Sequence, residues 1–191
     1  MSEAGSLERP NSPDSPNSPN SPDGPASVQI RTARGDDLSG AISVGHRTWL
    51  ATYEPIAGPE YVAMGLAKWW TRDAVTASIR AGRTIVAVEG DEVVGVSTHG
   101  VQNEQLVLWK LYVLPGHHGK GIGSALLREV ERRAVAAGHH TLVLSHIAGN
   151  DLAAQFYVNK GFVTTHVEEG GSGMPDSVWM SKELTPEADV I

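Results

Sequence analysis

The chain has 191 residues, 40% of them hydrophobic and 19% charged, with no cysteine and a formal net charge of −7. That length suits one domain with an ordinary core, and the missing cysteine excludes a disulfide framework, a thiolate metal site and a cysteine nucleophile. The excess of 22 acidic over 15 basic side chains argues against bulk attraction to nucleic acid or to anionic lipid. No apolar run approaches the ~20 residues of a membrane span and no signal-peptide pattern opens the sequence, so a soluble, cytoplasmic protein without nucleic-acid or membrane partners is expected.

In chain order, residues 1–27 come first. They hold six of the eleven prolines, at Pro10, Pro13, Pro16, Pro19, Pro22 and Pro25, in Ser-Pro-Asp/Asn repeats without an aromatic residue. Such a stretch cannot bury enough apolar area to offset its ordering entropy, so a solvated, disordered or polyproline-like leader is expected. From Val28 the pattern changes. Residues 28–31 alternate as a strand, and Asp36 and Asp37 offer an N-cap to a helix carrying Leu38, Ala41, Ile42, Val44 and Trp49. Pro55, Gly58 and Pro59 predict a break, with a second helix over 61–81. Residues 84–88 and 92–96 read as strands joined by a hairpin turn at Gly90-Asp91. A strand over 106–113, a helix over 122–137, a strand over 141–147 and a helix over 151–160 follow. Residues 162–163 and 178–180 begin or form two last strands. About seven strands and four helices imply an α/β or α+β domain with a largely antiparallel sheet over residues 28–184, and a short tail over 185–191.

The most informative stretch joins the strand 106–113 to the helix that begins at Ile122. The turn holds Gly119, Gly121 and Gly123, where backbone can approach a ligand closely, and the first-turn N–H groups of the helix all point one way. Together with Lys120 they make a candidate anion site. The spacing fits neither the P-loop nor the dinucleotide fingerprint, since Gly121 follows Lys120 and no Gly-x-Gly-x-x-Gly is present. A plain strand-to-helix turn needing flexible residues is the competing explanation.

Two blocks resemble the GNAT superfamily of acetyl-CoA-dependent N-acetyltransferases. His118-Gly119-Lys120-Gly121-Ile122-Gly123, after Leu111-Tyr112-Val113-Leu114-Pro115, is similar to the family's Gln/Arg-x-x-Gly-x-Gly/Ala signature, with His118 where Gln or Arg is usual. Asn150-Asp151-x-Ala153-Ala154-x-Phe156-Tyr157-x-x-x-Gly161-Phe162 is similar to its downstream block. The resemblance covers residues 84–184 and implies a GNAT-type sheet with splayed central strands. It implies acetyl-CoA in the gap, its pantetheine on backbone of Leu111, Tyr112 and Val113, and its pyrophosphate on amides of His118, Gly119, Lys120, Gly121, Ile122, Gly123 and Ser124. It implies direct transfer to an amine acceptor, in keeping with the absence of cysteine. A longer acyl-CoA donor and a non-catalytic CoA-binding module are the alternatives, and a homodimer is common in the family.

By the same resemblance Tyr157 is the general acid, against a plain packing role beside Phe156. Asn150 bonds the pantetheine, caps the following helix, or both. The strand before Leu111 carries no carboxylate, so the base is left open between His146, Glu104 and water. Alternation places His146 and Asn150 on one face, and an imidazole titrates in the range a base needs; a structural histidine is the equal alternative. His117, His139 and His140 lack metal-ligand spacing, and no metal is expected. Trp49, Trp69 and Trp70 read as core or lid aromatics, with a weaker case for Trp49 or Tyr53 in a substrate pocket. The acidic balance faintly favours a cationic acceptor.

Overall fold

Runs of β-branched residues fix the centre of the molecule. A computed structural model describes residues 27–171 and 173–185; the expected leader and tail lie outside these apart from Ser27 and Thr185. Strands β1 (Gln29–Thr32), β2 (Thr84–Glu89), β3 (Glu92–Gln102), β4 (Gln105–Val113), β5 (Thr141–Ile147), β6 (Val163–Glu168) and β7 (Ser177–Glu183) form one sheet in the order β1-β2-β3-β4-β5-β7-β6. Every neighbouring pair is antiparallel except β4–β5, which is parallel. The helices are α1 (Leu38–Trp69), α2 (Arg72–Arg80), α3 (Ile122–Ala136) and α4 (Asp151–Asn159). The α+β class, the seven strands and the four helices agree with the expectation. No helix among the described residues is long and apolar enough to cross a membrane.

Ile85, Val86 and Ala87 in β2 are fully buried because helices cover both faces of the sheet. A Cβ built on Gly95 of β3 would touch Leu126 and Ile122 of α3, and one on Gly123 would touch Val113. So α3 lies on the face to which Gly95 and Val113 point. Tyr112, one residue earlier in β4, points to the other face and meets Trp70, at the end of α1, at a ring separation of 5.5 Å.

One expectation about the helices holds and two need correction. The break foreseen at Pro55–Pro59 is present: Gly58 leaves helical geometry (φ 80°, ψ 170°), and two helical segments meet there within α1, the second running on to Trp69. Pro59 then stands where a helix restarts, a position at which its missing N–H costs nothing. A further interruption is at Trp70–Thr71, where the Thr71 hydroxyl accepts the Ala74 N–H at 3.2 Å and caps a separate α2. Asp37 does not cap α1 with its side chain. Its carboxylate instead accepts from Arg31 at 2.6 and 2.9 Å and from the Arg34 N–H at 2.6 Å. The sequence also underestimated β3, which extends to Gln102 before Asn103 and Glu104 turn the chain with φ of 48° and 66°.

Trp70 is 2% exposed and lies against Gly45 of α1, so that a Cβ there would overlap the indole. Gly45→Ala is therefore expected to destabilise the fold by about 1–3 kcal/mol, the usual cost of overpacking; thermal or urea unfolding measures it, and an unchanged midpoint contradicts the packing described. The Arg31 guanidinium holds the Asp37 carboxyl below its ordinary range, partly opposed by burial. Its stabilisation is present above the unfolded carboxylate pKa of about 3.9 and is lost as pH falls through the lowered folded value. Asp37→Asn should cost about 1–3 kcal/mol at pH 7, and the gap to the parent protein should narrow on acidification below pH 4. A gap independent of pH would contradict the pairing.

Candidate active site

The parallel pairing of β4 with β5 covers only Leu106, Leu108 and Val107 against Leu142, Leu144 and Val143. Beyond Leu108 the strands part. The register between β3 and β4 slips at the same level, with His99 opposite Leu108 but Thr98 opposite Lys110, so that Trp109 is the extra residue of a bulge. The bulge reverses which face alternate residues occupy. His99 feels Arg133 and Glu129 of α3, so its partner Leu108 lies on the α3 face. Lys110 instead donates to the Trp69 carbonyl at the end of α1 at 2.7 Å.

Past the bulge, the Leu114 N–H bonds the Val94 carbonyl of β3 at 2.9 Å. Backbone groups alternate sides along an antiparallel strand, so Tyr112 is also spent on β3 while Leu111 and Val113 turn theirs into the gap. Of the three backbones expected to meet the ligand, those of Leu111 and Val113 face the gap and that of Tyr112 faces β3. The Val113 carbonyl receives the imidazole N–H of His118 at 2.8 Å. His118 thus acts through its side chain, holding the turn to the strand end, and not through backbone alone.

The turn that follows presents a row of free donors. After the His117 N–H bonds to Leu114, the next backbone N–H with a backbone acceptor is that of Ala125, to Gly121 at 3.0 Å. The amides of residues 118–124 have no backbone acceptor among the described residues. Gly119 (φ 78°) and Gly121 (φ 79°) lie in the left-handed region, and open space surrounds both. Glycine is required there by conformation rather than by crowding. Gly121 is the N-cap of α3 and supplies no side-chain acceptor, which leaves the first-turn amides and the positive end of the helix dipole uncovered. Lys120 and His117 both reach Glu89, at 3.9 and 3.0 Å.

An aromatic cluster lies on the α1 face beside the gap. The Tyr53 and Tyr112 hydroxyls are 3.2 Å apart. Trp49 packs against Tyr53 at 4.6 Å, Tyr61 at 5.6 Å and Trp69 at 5.5 Å. Burial raises the Tyr112 phenol well above its usual range, with Tyr53 and then Tyr157 adding to the shift, and pushes Tyr61 up to about 12. Tyr157, 8% exposed on α4, is raised by burial and secondarily by Tyr53. It packs on Phe156 and Phe162 at 5.3 and 5.6 Å, and its hydroxyl makes no hydrogen bond among the described residues. The ring is buried and the phenol stays neutral across the working pH range, with its O–H free to donate.

The other sequence candidates fall in different places. Asn150 caps α4, accepting the Ala153 N–H at 3.2 Å. It stands beyond the end of β5 and a turn at Ala148 and Gly149, so strand alternation does not relate it to His146. His146 is half-buried in β5 and its Nδ1 donates to the Ile147 carbonyl at 3.0 Å; a carbonyl only accepts, so the lone pair is on Nε2. Glu104 is exposed in the β3–β4 turn, at the far end of β4 and ~26 Å of strand from Tyr112 at ~3.3 Å per residue. That distance removes it as a base. The sequence did not single out Lys110: the bulge that turns it toward α1 leaves no mark in the alternation.

The arrangement can seat an anionic, amide-bearing ligand along the turn and the open strand edge, next to phenol donors. The sequence profile described as the acetyltransferase (GNAT) family matches residues 46–162. An uncharacterised N-acetyltransferase of Mycobacterium bovis is 27% identical over 140 residues, covering 66% of this chain and 83% of that protein. Among solved structures, the PaiA N-acetyltransferase of Thermoplasma acidophilum in complex with coenzyme A aligns with a TM-score of 0.72 and 23% identity, over 82% of this chain and 99% of its own. The ribosomal-protein-S18-alanine N-acetyltransferase of Escherichia coli aligns at 0.65 and 18% identity, over 86% and 99%. The splayed strands, the uncapped turn and the matched profile lead to one conclusion: the chain belongs to the GNAT family of acetyltransferases.

Proposed function

We propose that the protein transfers an acetyl group from acetyl-CoA directly to a primary amine. The observation that carries this reading is the run of acceptor-free amides over residues 118–124 beside the open backbone of Leu111 and Val113. Backbone N–H groups at a helix N-terminus suit a pyrophosphate, and an open strand edge suits an amide-rich arm. The coenzyme A bound to the Thermoplasma relative belongs to the same fold. Acetyl-CoA supplies an activated acetyl thioester; the remaining chemistry falls to this chain.

The Val113 N–H, turned into the gap, is the candidate donor to the thioester oxygen, an oxyanion-stabilising role. Tyr157 is the candidate acid. Its raised pKa makes complete proton delivery to a thiolate, ordinarily near pKa 8.5, uphill. The role its burial supports is therefore hydrogen-bond donation to the departing sulfur. His146, with Nε2 as acceptor, is the candidate base for the ammonium proton, and water is the alternative. No cysteine exists to carry an acyl-enzyme intermediate, which agrees with attack by the amine itself.

Calorimetry should detect acetyl-CoA binding, and absence of heat at millimolar ligand would remove the reading. Tyr157→Phe keeps the ring packing and loses only an unpartnered hydroxyl. It is expected to lower kcat by about a hundredfold, the usual scale for losing one donor to developing negative charge, with the affinity for acetyl-CoA within about twofold of the parent. An unchanged kcat would sink the acid assignment and leave the family placement intact.

A further inference from the structure

The α1 face of β4 offers more donors and positive charge than it has acceptors, and no carboxylate to meet them. The Lys110 ammonium sits 4.2 Å from the Trp70 ring centroid and spends one donor on the Trp69 carbonyl. An ammonium has three. No carboxylate lies within 4.0 Å of it among the described residues. Burial alone pushes its pKa down to about 8, with no acid offsetting the shift.

The neighbouring groups share this imbalance. The indole N–H of Trp70, 2% exposed, has no partner among the described residues, while that of Trp49 is directed at the Tyr112 hydroxyl. Both rings stand beside Tyr112, at 5.5 and 6.5 Å, and the Tyr112 hydroxyl bonds Tyr53. A half-buried cation without a carboxylate and a buried indole N–H without an acceptor are costly unless a partner arrives. A polycationic acceptor would bring more positive charge to a face with no anion to meet it, whatever the −7 of the whole chain.

From this one-sided donor face we infer that the acceptor amine also carries a carboxylate, as an amino acid does, and that Lys110 is the residue that selects it. The inference rests on the proposed acetyl transfer and names the acceptor class. Lys110 and Tyr112 are two residues apart on one face, about 7 Å along the strand. That spacing places the carboxylate and the attacking nitrogen on one small molecule: the carboxylate at Lys110, the amine toward the open strand end at Val113. The cation–π contact with Trp70 keeps the ammonium stem directed along this face.

The test is thiol release from acetyl-CoA with matched pairs, each common amino acid and β-alanine against its own carboxamide. The parent protein should use the acids with kcat/KM about tenfold or more above the amides, the scale of one charge-assisted pair. Lys110→Met should bring that ratio to about one, chiefly through KM for the acid, while Lys110→Arg should keep the preference. Equal use of acids and amides by the parent protein overturns the inference, as does a Lys110→Met variant with the ratio intact. Turnover of neither member while acetyl-CoA still binds by calorimetry also overturns it. Should Lys110→Met fail to fold, the parent comparison and Lys110→Arg decide. Loss of acetyl-CoA binding in the parent protein marks a different failure, that of the proposed transfer itself.

Discussion

Everything at the site follows from where β4 stops pairing with β5. Three residue pairs hold the two strands together, and beyond Leu108 and Leu144 they separate. An unpaired strand edge inside a sheet is unfavourable unless something takes up its N–H and C=O groups. Here the edge is short, it begins at a bulge, and one of its carbonyls, that of Val113, is taken by His118. What remains open is limited to a few groups of Leu111 and Val113, next to the amides of an uncapped helix. The free backbone donors of the turn and of the open strand edge thus lie side by side, where a ligand with many acceptors can satisfy them.

The bulge at Trp109 has a second effect. Without it, Lys110 and Tyr112 would share a face with Leu108 under α3. With it, they turn to α1 and join Trp49, Tyr53 and Trp70. The opposite face takes Leu111 and Val113, with Phe156 of α4 and Gly123 of α3 beside Val113. One extra residue thereby divides the strand into an α3 side that anchors the Gly-rich turn and an α1 side lined with donors. Tyr157 responds to both, since it lies on α4 yet its phenol feels Tyr53 from α1.

Much of this was legible in the sequence, for local reasons. The strand-turn-helix around Gly119, Gly121 and Gly123 could be read because left-handed backbone before a helix leaves a glycine signature, and two of the three indeed have positive φ. Asn150 as a helix cap followed from side-chain chemistry at a known offset. What failed depended on partners distant in sequence. Asp37 looks like a cap until Arg31 on β1 claims its carboxylate. Lys110 looks like an ordinary strand lysine because a bulge is a property of two strands in register, invisible in either alone. Glu104 could be placed before β4 but its distance could not be read until the lengths of β3 and β4 set it at their far end.

The most direct measurement is amide hydrogen exchange with and without coenzyme A. Exchange reports the opening of individual N–H groups, and a bound acceptor slows it. The account predicts that added coenzyme A protects Leu111, Val113 and residues 118–124 by about tenfold or more, while Tyr112, already bonded to β3, changes little. Protection of Tyr112 in preference to its neighbours, or coenzyme A binding that leaves residues 118–124 exchanging at their free rate, would contradict the site at its foundation.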